Sequence, residues 1–230
     1  MGDRLNLVVA IDLSRSVAVV GPDDKSEFQK NVEGVSRLLA TVPAGARATV
    51  IGITDHSFTQ PYVLLRAQLP DDTGYFGERL DSARRQLTSA WMARSVKLAP
   101  QFPSTDIFGA FALASEIHTA NKQMKRTALV IFSDMRESAP QIDFESRQVI
   151  PPFDALTAQC GKLPDLRGVL VFVLGVEQAG KSSEYLQSLH AFWREYLNRA
   201  GAELRTLAVL REIPQELESH GRRLRGSQLY

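Results

Sequence analysis

The chain has 230 residues, 44% of them hydrophobic and 23% charged, which is ordinary for one globular domain and too short for two full ones. Twenty-seven Lys and Arg against 26 Asp and Glu leave a net charge of +1, so no strong electrostatic field points to nucleic acid or to an anionic membrane. The single cysteine, Cys160, excludes an internal disulfide and a cysteine-based zinc site.

The first predicted element is a strand that begins near Leu5. Residues 8–11 form a nearly continuous β-branched run, which is typical of a central parallel strand covered on both faces. Asp12 follows at the carboxyl end of this strand, where ligands bind in doubly wound sheets. Ser14 and Ser16 come next at intervals of two residues. One carboxylate and two hydroxyls in a turning loop can direct three hard oxygens at one point, a combination that suits Mg²⁺.

Helical and strand patterns then alternate. Apolar residues recur at helical spacing over 28–39, and 48–54 reads as a second strand. The segment 61–66 begins with a proline and follows a connection too short for a helix, so it predicts an antiparallel edge strand. Another amphipathic helix is predicted over 80–91.

The second half of the chain repeats this alternation. Ser104, Thr105 and Asp106 are favoured capping residues and open the next predicted helix. A fourth strand, 127–132, ends in Ser133 and Asp134, so a carboxylate again follows an apolar run. The region 135–165 is rich in loops and is predicted to hold at most one helix, around 153–161. A strand over 168–174, a helix over 182–200 and a last strand over 203–209 follow.

This order predicts an α/β, doubly wound, mostly parallel six-stranded sheet with one antiparallel edge strand and helices on both faces, a Rossmann-like arrangement. We expect the domain to span 4–210 and to be followed by a C-terminal tail, 211–230. Winding outward in both directions from the first strand would make the first and fourth strands neighbours. Asp12 and Asp134 would then face each other, and Thr105 could reach the same crevice.

These residues resemble a von Willebrand factor type A (vWA) domain with its metal-ion-dependent adhesion site (MIDAS). The resemblance rests on Asp12-x-Ser14-x-Ser16, on Thr105 at its helix start and on Asp134 after an apolar strand, and it covers about residues 4 to 210. It implies that a Mg²⁺ or Mn²⁺ ion contacts the hydroxyls of Ser14, Ser16 and Thr105. The two aspartates would bind the ion directly or through water.

The resemblance also implies a binding module rather than an enzyme. The cation would accept a Glu or Asp carboxylate from a protein partner, with no nucleic acid involved and with membership of a larger assembly left open. Two positions depart from the family pattern, since Arg15 and Met135 stand where glycine is common. Arg15 could either attract an acidic partner or occlude the metal site.

A competing motif predicts a different function. Gly175 to Ser182 reads GVEQAGKS and matches the phosphate-binding pattern G-x-x-x-x-G-K-S between a strand and a helix, so a nucleotide hydrolase is the alternative. Glu177, however, places a carboxylate in a loop that should offer N–H donors to phosphate. Few residues remain after it to complete a nucleotide pocket. In the simpler interpretation Gly180 makes a turn and Ser182 caps a helix.

The expected location follows from the absence of apolar segments. No apolar run approaches the roughly 18 residues of a membrane span, so we expect no direct membrane insertion. The first strand begins near Leu5 and leaves no room for a signal peptide. The chain as given is therefore expected in the cytoplasm, while a leader or anchor removed before Met1 stays an open alternative.

Overall fold

The fold is organised around β1 (Leu5–Asp12), as seen in a computed structural model that describes residues 4–176 and 180–217. All eight residues of β1 are buried. Strands β2 (Arg47–Ile53) and β4 (Arg126–Phe132) pair with its two sides, both in parallel. The predicted central strand is confirmed, as is the predicted adjacency of the first and fourth strands.

Six of the described strands form one sheet in the order β3-β2-β1-β4-β7-β8. Here β3 is Tyr62–Gln68, β7 is Val169–Leu174 and β8 is Glu203–Ala208. Strand β3 is antiparallel to β2 and lies at one edge, whereas the other pairings are parallel. The predicted sheet, with its single antiparallel edge strand, is confirmed.

Helices cover both faces of this sheet. Helices α1 (Glu27–Leu39) and α2 (Glu78–Ser95) bury apolar side chains such as Val35 and Trp91 against the odd-numbered residues of β1. The other face is covered by α3, α4 and α5, whose bounds are Ile107–Ala120, Phe153–Cys160 and Ser183–Arg199. Two apolar layers therefore enclose the sheet, as expected for a doubly wound α/β domain.

Side chains at the helix starts explain where the helices begin. Ser26 forms a capping box with Gln29 at α1, and the Asp106 side chain accepts a hydrogen bond from the Gly109 N–H at α3. Ser182 Oγ accepts from the Tyr185 N–H at 3.1 Å at the start of α5. The predicted helix starts near residues 106 and 182 are confirmed.

Aromatic side chains dominate the core beneath α5. Trp193 and Tyr196 are buried and contact each other edge to face, with ring centroids 5.4 Å apart. Such pairs add roughly 0.5–1.5 kcal/mol to the burial of the rings. The Trp193 indole Nε1–H donates to the Met135 carbonyl at 2.9 Å. This hydrogen bond anchors the loop after β4 to the core.

The region between β4 and β7 contains a small hairpin that was not predicted. Strands β5 (Ser138–Ala139) and β6 (Ile142–Asp143) have two residues each and pair antiparallel. Two residues are too few to produce a periodic pattern in the sequence. The one helix predicted in this region is confirmed as α4.

The connection from β3 to α2 contains a strained turn. Phe76 has φ 54°, in the left-handed region that side chains other than glycine rarely adopt. Gly74 and Gly77 on either side also have positive φ. Phe76 is 99% exposed, and its ring contacts the exposed ring of Tyr75 at a centroid distance of 5.5 Å, so burial in the core does not offset this strain.

The described part of the predicted tail packs on the domain. Leu217 is buried, and the Arg211 Nε–H donates to Asn31 Oδ1 of α1 at 2.6 Å while its Nη2 bonds to Glu27. Residues 218–230 of that tail lie outside the described residues. Over the described ranges, no helix is both long and apolar enough to cross a membrane.

Candidate metal centre

The candidate centre lies at the carboxyl ends of β1 and β4. Asp12 is the last residue of β1, and Asp134 lies two residues after the end of β4. Because the two strands are adjacent and parallel, their ends meet at the same edge of the sheet. Asp12 is fully buried and Asp134 is 5% exposed. The sheet topology therefore brings the two predicted carboxylates to one place.

Hydrogen bonds hold the Asp12 carboxylate in position. Its Oδ1 accepts from the Ser14 N–H at 2.9 Å, and its Oδ2 accepts from the Ser133 hydroxyl at 2.6 Å. Ser133 Oγ in turn accepts from the Met135 N–H at 2.9 Å. Sequence analysis did not predict this role of Ser133, although a hydroxyl directly before a strand-end carboxylate was a usable signal. These hydrogen bonds fix the orientation of the Asp12 carboxylate.

The two serine hydroxyls meet above the aspartates. A short 3-10 helix, Arg15–Ala18, curls the loop after β1 so that Ser14 Oγ and Ser16 Oγ are 2.9 Å apart. Ser16 also lies close enough to Asp134 for its hydroxyl to oppose the rise in the pKa of that carboxyl. Ser14, Ser16 and the two aspartates thus form one connected polar cluster.

Burial shapes the electrostatics of this cluster. Loss of solvent, reinforced by the neighbouring charge of Asp12, raises the pKa of Asp134 to about 7, against the opposing effect of Arg136. Burial also raises the pKa of Asp12, although hydrogen bonds from Ser133 and Ser14 oppose the change. A positive charge close to both carboxyl groups would stabilise their ionised forms.

Thr105 lies in the loop before α3, is almost completely buried and lines a cavity that Ser14 and Ser16 also line. Its N–H donates to Ser138 Oγ at 2.8 Å, and the Ser138 N–H donates back to the Thr105 carbonyl at 3.0 Å. These reciprocal bonds tie the Thr105 loop to the β5–β6 hairpin. The fifth predicted residue is therefore held by the segment that follows Asp134.

Glu137 strengthens the same connection and was not predicted. Its carboxylate accepts from the N–H groups of Ile107 and Phe108, at 2.8 and 3.2 Å, and from the Ala139 N–H at 3.0 Å. It satisfies donors at the start of α3 that have no partner within the helix. Burial, together with the charge of Asp106, raises the pKa of Glu137 to about 8. An isolated glutamate in a loop offers no sequence signal for such a role.

An open cavity of about 670 Å³ borders the cluster. Ser14, Ser16 and Thr105 line it, while the buried aspartates contact these serines. Two arginines also line it. Arg15 is exposed. Arg136 is buried between two acids: its Nε lies 3.9 Å from Asp134 Oδ2, and its Nη1 lies 3.4 Å from Glu145 Oε1. The arrangement offers oxygen ligands to a cation, and the lining also carries the acidic Asp143 and Glu145 beside the two arginines.

Comparisons with known proteins identify the fold. No protein-family model and no curated protein sequence matches the chain. Among solved structures, the SpRpn10 VWA domain superposes with a TM-score of 0.50 at 12% identity, over 95% of this chain and 93% of that one. The chain has the vWA fold.

Two further solved structures are less similar in shape. BatB from Bacteroides thetaiotaomicron has a TM-score of 0.47 at 16% identity, over 88% of this chain and 90% of that one. A von Willebrand factor type A protein from Catenulispora acidiphila has a TM-score of 0.44 at 12% identity, over 87% of this chain and 42% of that one. At these identities the vWA likeness concerns the fold alone.

Met135 was expected to depart from the vWA pattern, and its backbone shows how the chain accommodates it. Its φ is 63°, a conformation that favours the glycine common at this position. The Met135 side chain is fully buried in the core beneath α5. Apolar burial and the hydrogen bond from Trp193 therefore offset a strained backbone one residue after Asp134.

The centre relies on hydroxyls as well as carboxylates. In the ranges 4–176 and 180–217, no group of three or more His, Cys, Asp or Glu side chains could hold a metal ion. Two aspartates with three hydroxyls do not make such a group. The predicted MIDAS ligands in this vWA fold are thus a mixed set of hard oxygens.

The described part of the phosphate-binding pattern is engaged in other contacts. Lys181 Nζ donates to the Glu145 carbonyl and lies 5.1 Å from the centroid of the Tyr185 ring. Ser182 caps α5, and Gly180 has φ 81°. Residues 177–179 of the motif lie outside the described residues. These contacts agree with the interpretation as a turn and a cap, and give no support to nucleotide binding.

Proposed function

We propose that this chain is a divalent-cation-dependent protein-interaction module. Asp12, Ser14, Ser16, Thr105 and Asp134 would hold Mg²⁺ or Mn²⁺, and the cation would bind a Glu or Asp carboxylate of a protein partner. The convergence of two buried carboxylates with hydroxyls at one edge of the sheet carries this proposal. The chain would act by binding and would have no catalytic residue.

The donor set fits a small hard cation. Carboxylate and hydroxyl oxygens are ligands that Mg²⁺ accepts, and Mg²⁺ keeps several waters in its coordination shell. Asp12 already accepts one hydrogen bond on each carboxylate oxygen, so it suits an outer contact through water as well as direct binding. The raised pKa values of Asp12 and Asp134 also favour a cation, because a dication stabilises the ionised form of both acids.

The bound cation would supply an electrophilic position for one further anionic oxygen. Few direct negative charges around it would leave its attraction for a partner's carboxylate strong. Arg15, exposed at the cavity, would add positive charge for an incoming acidic side chain. Of the two effects predicted for Arg15, its exposed position supports attraction of the partner. The proposed location is the cytoplasm.

Thermal unfolding with and without metal tests the cation site. Protein stripped with a chelator should melt roughly 5–10 °C higher when Mg²⁺ or Mn²⁺ is added at about 100 times its Kd. Asp12→Ala should abolish this metal-dependent shift. Asp81→Ala is the matched control, since Asp81 is exposed on α2 and lies outside the proposed ligand set. An unchanged melting curve for the wild-type protein would overturn the proposal.

Affinity capture tests the partner. The immobilised chain should retain a protein in Mg²⁺ and release it when chelator is added. Asp12→Ala should retain none, and replacing one Glu or Asp of the captured protein by its amide should abolish binding. Capture that persists in chelator, or that survives every such replacement in the partner, would contradict the proposed recognition of a carboxylate.

A further inference from the structure

A second polar cavity lies at the amino edge of the sheet, where the parallel strands begin, opposite the carboxyl edge that carries the candidate metal centre. It lies between β3 and the end of α3. It has a volume of about 490 Å³, within the range of small-molecule sites. Its polar lining residues come from β2, β3 and the end of α3, and they are Arg47, Thr49, Arg66, Gln68 and Asn121. None of the proposed metal ligands lines it.

The charge on this cavity is entirely positive. Arg47 and Arg66 are its charged lining residues, and no carboxylate is among the described residues that line it. The Arg47 Nε–H donates to Gln68 Oε1 at 3.3 Å, and its Nη1 donates to Asn121 Oδ1. Both acceptors are neutral amides, so neither cancels the guanidinium charge. Arg66 is exposed and extends from the neighbouring strand, opposite Thr49.

A buried amide next to Arg47 remains unsatisfied. Asn6 is fully buried, and neither Nδ2 nor Oδ1 has a hydrogen-bond partner among the described residues. Asn6 pairs with Arg47 across β1 and β2. The even-numbered residues Val8 and Ala10 pack with α3, so alternation along β1 directs Asn6 to the face that carries the cavity. Burial of an amide without a hydrogen-bond partner is unfavourable.

We infer that this cavity is a binding site for a small ligand that carries an oxyanion, either a phosphate or a carboxylate. A guanidinium presents paired N–H donors that match the oxygens of both groups, and two arginines without an acidic neighbour supply uncompensated charge. Asn6 does not line the cavity itself; it lies beside Arg47 on the same face of the sheet, where its unpaired donor and acceptor would reach the ligand through a bound water. This site is independent of the proposed cation.

Titration of the full chain, ¹⁵N-labelled and kept in chelator at constant ionic strength, tests this inference. Inorganic phosphate and succinate are the two probes, and they distinguish the phosphate from the carboxylate source. At least one should cause saturable shifts in the amide signals of Arg47, Arg66 and Asn121. Arg66→Gln should weaken that binding at least tenfold, since Arg66 is exposed and its replacement leaves the core intact.

Arg205→Gln is the matched control. Arg205 lies on β8, the outermost strand on the side of the sheet away from β3, and it pairs with Glu203 at 2.8 Å. This variant should bind as the wild type does. Asn6→Leu should weaken binding by a smaller factor than Arg66→Gln. Shifts that do not saturate, or that weaken equally in Arg66→Gln and Arg205→Gln, would indicate an adventitious ion only and would overturn the inference. Because chelator is present throughout, the outcome does not depend on the metal centre.

Discussion

The two edges of the central sheet differ in charge and in how their polar groups are satisfied. At the carboxyl edge, buried acids accept hydrogen bonds from nearby backbone N–H groups and hydroxyls, as Asp12 does from Ser14 and Ser133. At the amino edge, Arg47 bonds only to neutral amides, and the buried Asn6 has no partner among the described residues. One edge offers carboxyl oxygens in fixed positions, and the cavity at the other offers two arginines without an acidic lining residue.

The difference shows how a single sheet can support two kinds of recognition. At the carboxyl edge, the loops that follow β1 and β4 supply hydroxyl and N–H donors to the acids, so protein groups hold these side chains in place. At the amino edge, the polar side chains project from within strands whose own N–H groups are used in the sheet. Such side chains depend on distant residues, on water or on a ligand for their hydrogen bonds.

The largest expected effect comes from two buried asparagines. Asn31 accepts from Arg211 Nε at 2.6 Å and donates to the Phe132 carbonyl at 3.4 Å, near the carboxyl edge. Asn31→Leu should therefore lower the free energy of unfolding by roughly 2–4 kcal/mol, because it leaves these groups unpaired. Asn6→Leu should raise it by up to about 2 kcal/mol. Urea denaturation measures both, and a large loss for Asn6→Leu would remove the contrast between the edges.

A pH dependence of stability should follow from the acids at the carboxyl edge. The folded state raises the pKa of Asp134 to about 7 and also raises that of Asp12, so it binds protons more tightly than the unfolded chain does. Their contribution to stability is therefore present at low pH and is lost as the pH rises toward and through about 7.

In chelator, the wild-type protein should lose on the order of 2 kcal/mol relative to Asp134→Asn between about pH 5 and pH 8. Urea denaturation at each pH gives this difference. Saturating Mg²⁺ should reverse it at the upper pH, because the proposed cation replaces the proton. Parallel pH profiles for the two proteins would show that Asp134 titrates as an ordinary carboxyl.

Glu137→Gln should have the next largest effect. One Glu137 oxygen accepts from the Ile107 and Phe108 N–H groups, and the other accepts from the Ala139 N–H. An amide can preserve only one of these acceptors, so a buried donor would face another donor, at a cost of roughly 1–3 kcal/mol. Glu116→Gln on the exposed side of α3 is the control and should change stability by less than about 0.5 kcal/mol. Equal effects of the two changes in urea would contradict the connecting role of Glu137.

The smallest effect concerns the strained turn after β3. Phe76→Gly should remove the cost of a positive φ, which is about 1–2 kcal/mol, while adding roughly 0.5–1 kcal/mol of chain entropy in the unfolded state. The expected result is a small gain in melting temperature, measured by calorimetry. Tyr75→Gly is the matched control and should lower the melting temperature, because Tyr75 is not among the residues with positive φ. A loss in both variants would mean that the Phe76 side chain stabilises the fold.

The fold could be predicted from sequence because its signals are local and repeated. The β-branched run of β1, the proline before β3 and the capping serine at α5 each specify one element, and the alternation of strands and helices restricts the topology. The β5–β6 hairpin could not be predicted, since two-residue strands leave no periodic pattern. The left-handed conformation of Phe76 could not be predicted either, because phenylalanine is not one of the residues that usually form turns.

The candidate centre was predictable only in part. Parallel strands end at one edge, so the proximity of Asp12 and Asp134 follows from topology alone. The supporting roles of Ser133 and Glu137 depend on hydrogen bonds to residues distant in sequence, and of the two only Ser133, directly before Asp134, left a usable signal. Metal binding by the five predicted residues stays a prediction, as does the absence of catalytic activity.

If the proposed cation binds, the reciprocal bonds between Thr105 and Ser138 predict thermodynamic linkage between that cation and the β5–β6 hairpin. Two hydrogen bonds join the loop before α3 to the hairpin, so a displacement of the hairpin would also move Thr105. A protein that grips the hairpin in one position would alter cation affinity, and the cation would alter that protein's affinity by the same factor. A complex that dissociates in chelator is therefore expected both when the partner binds the cation directly and when it binds the hairpin and is coupled to the cation.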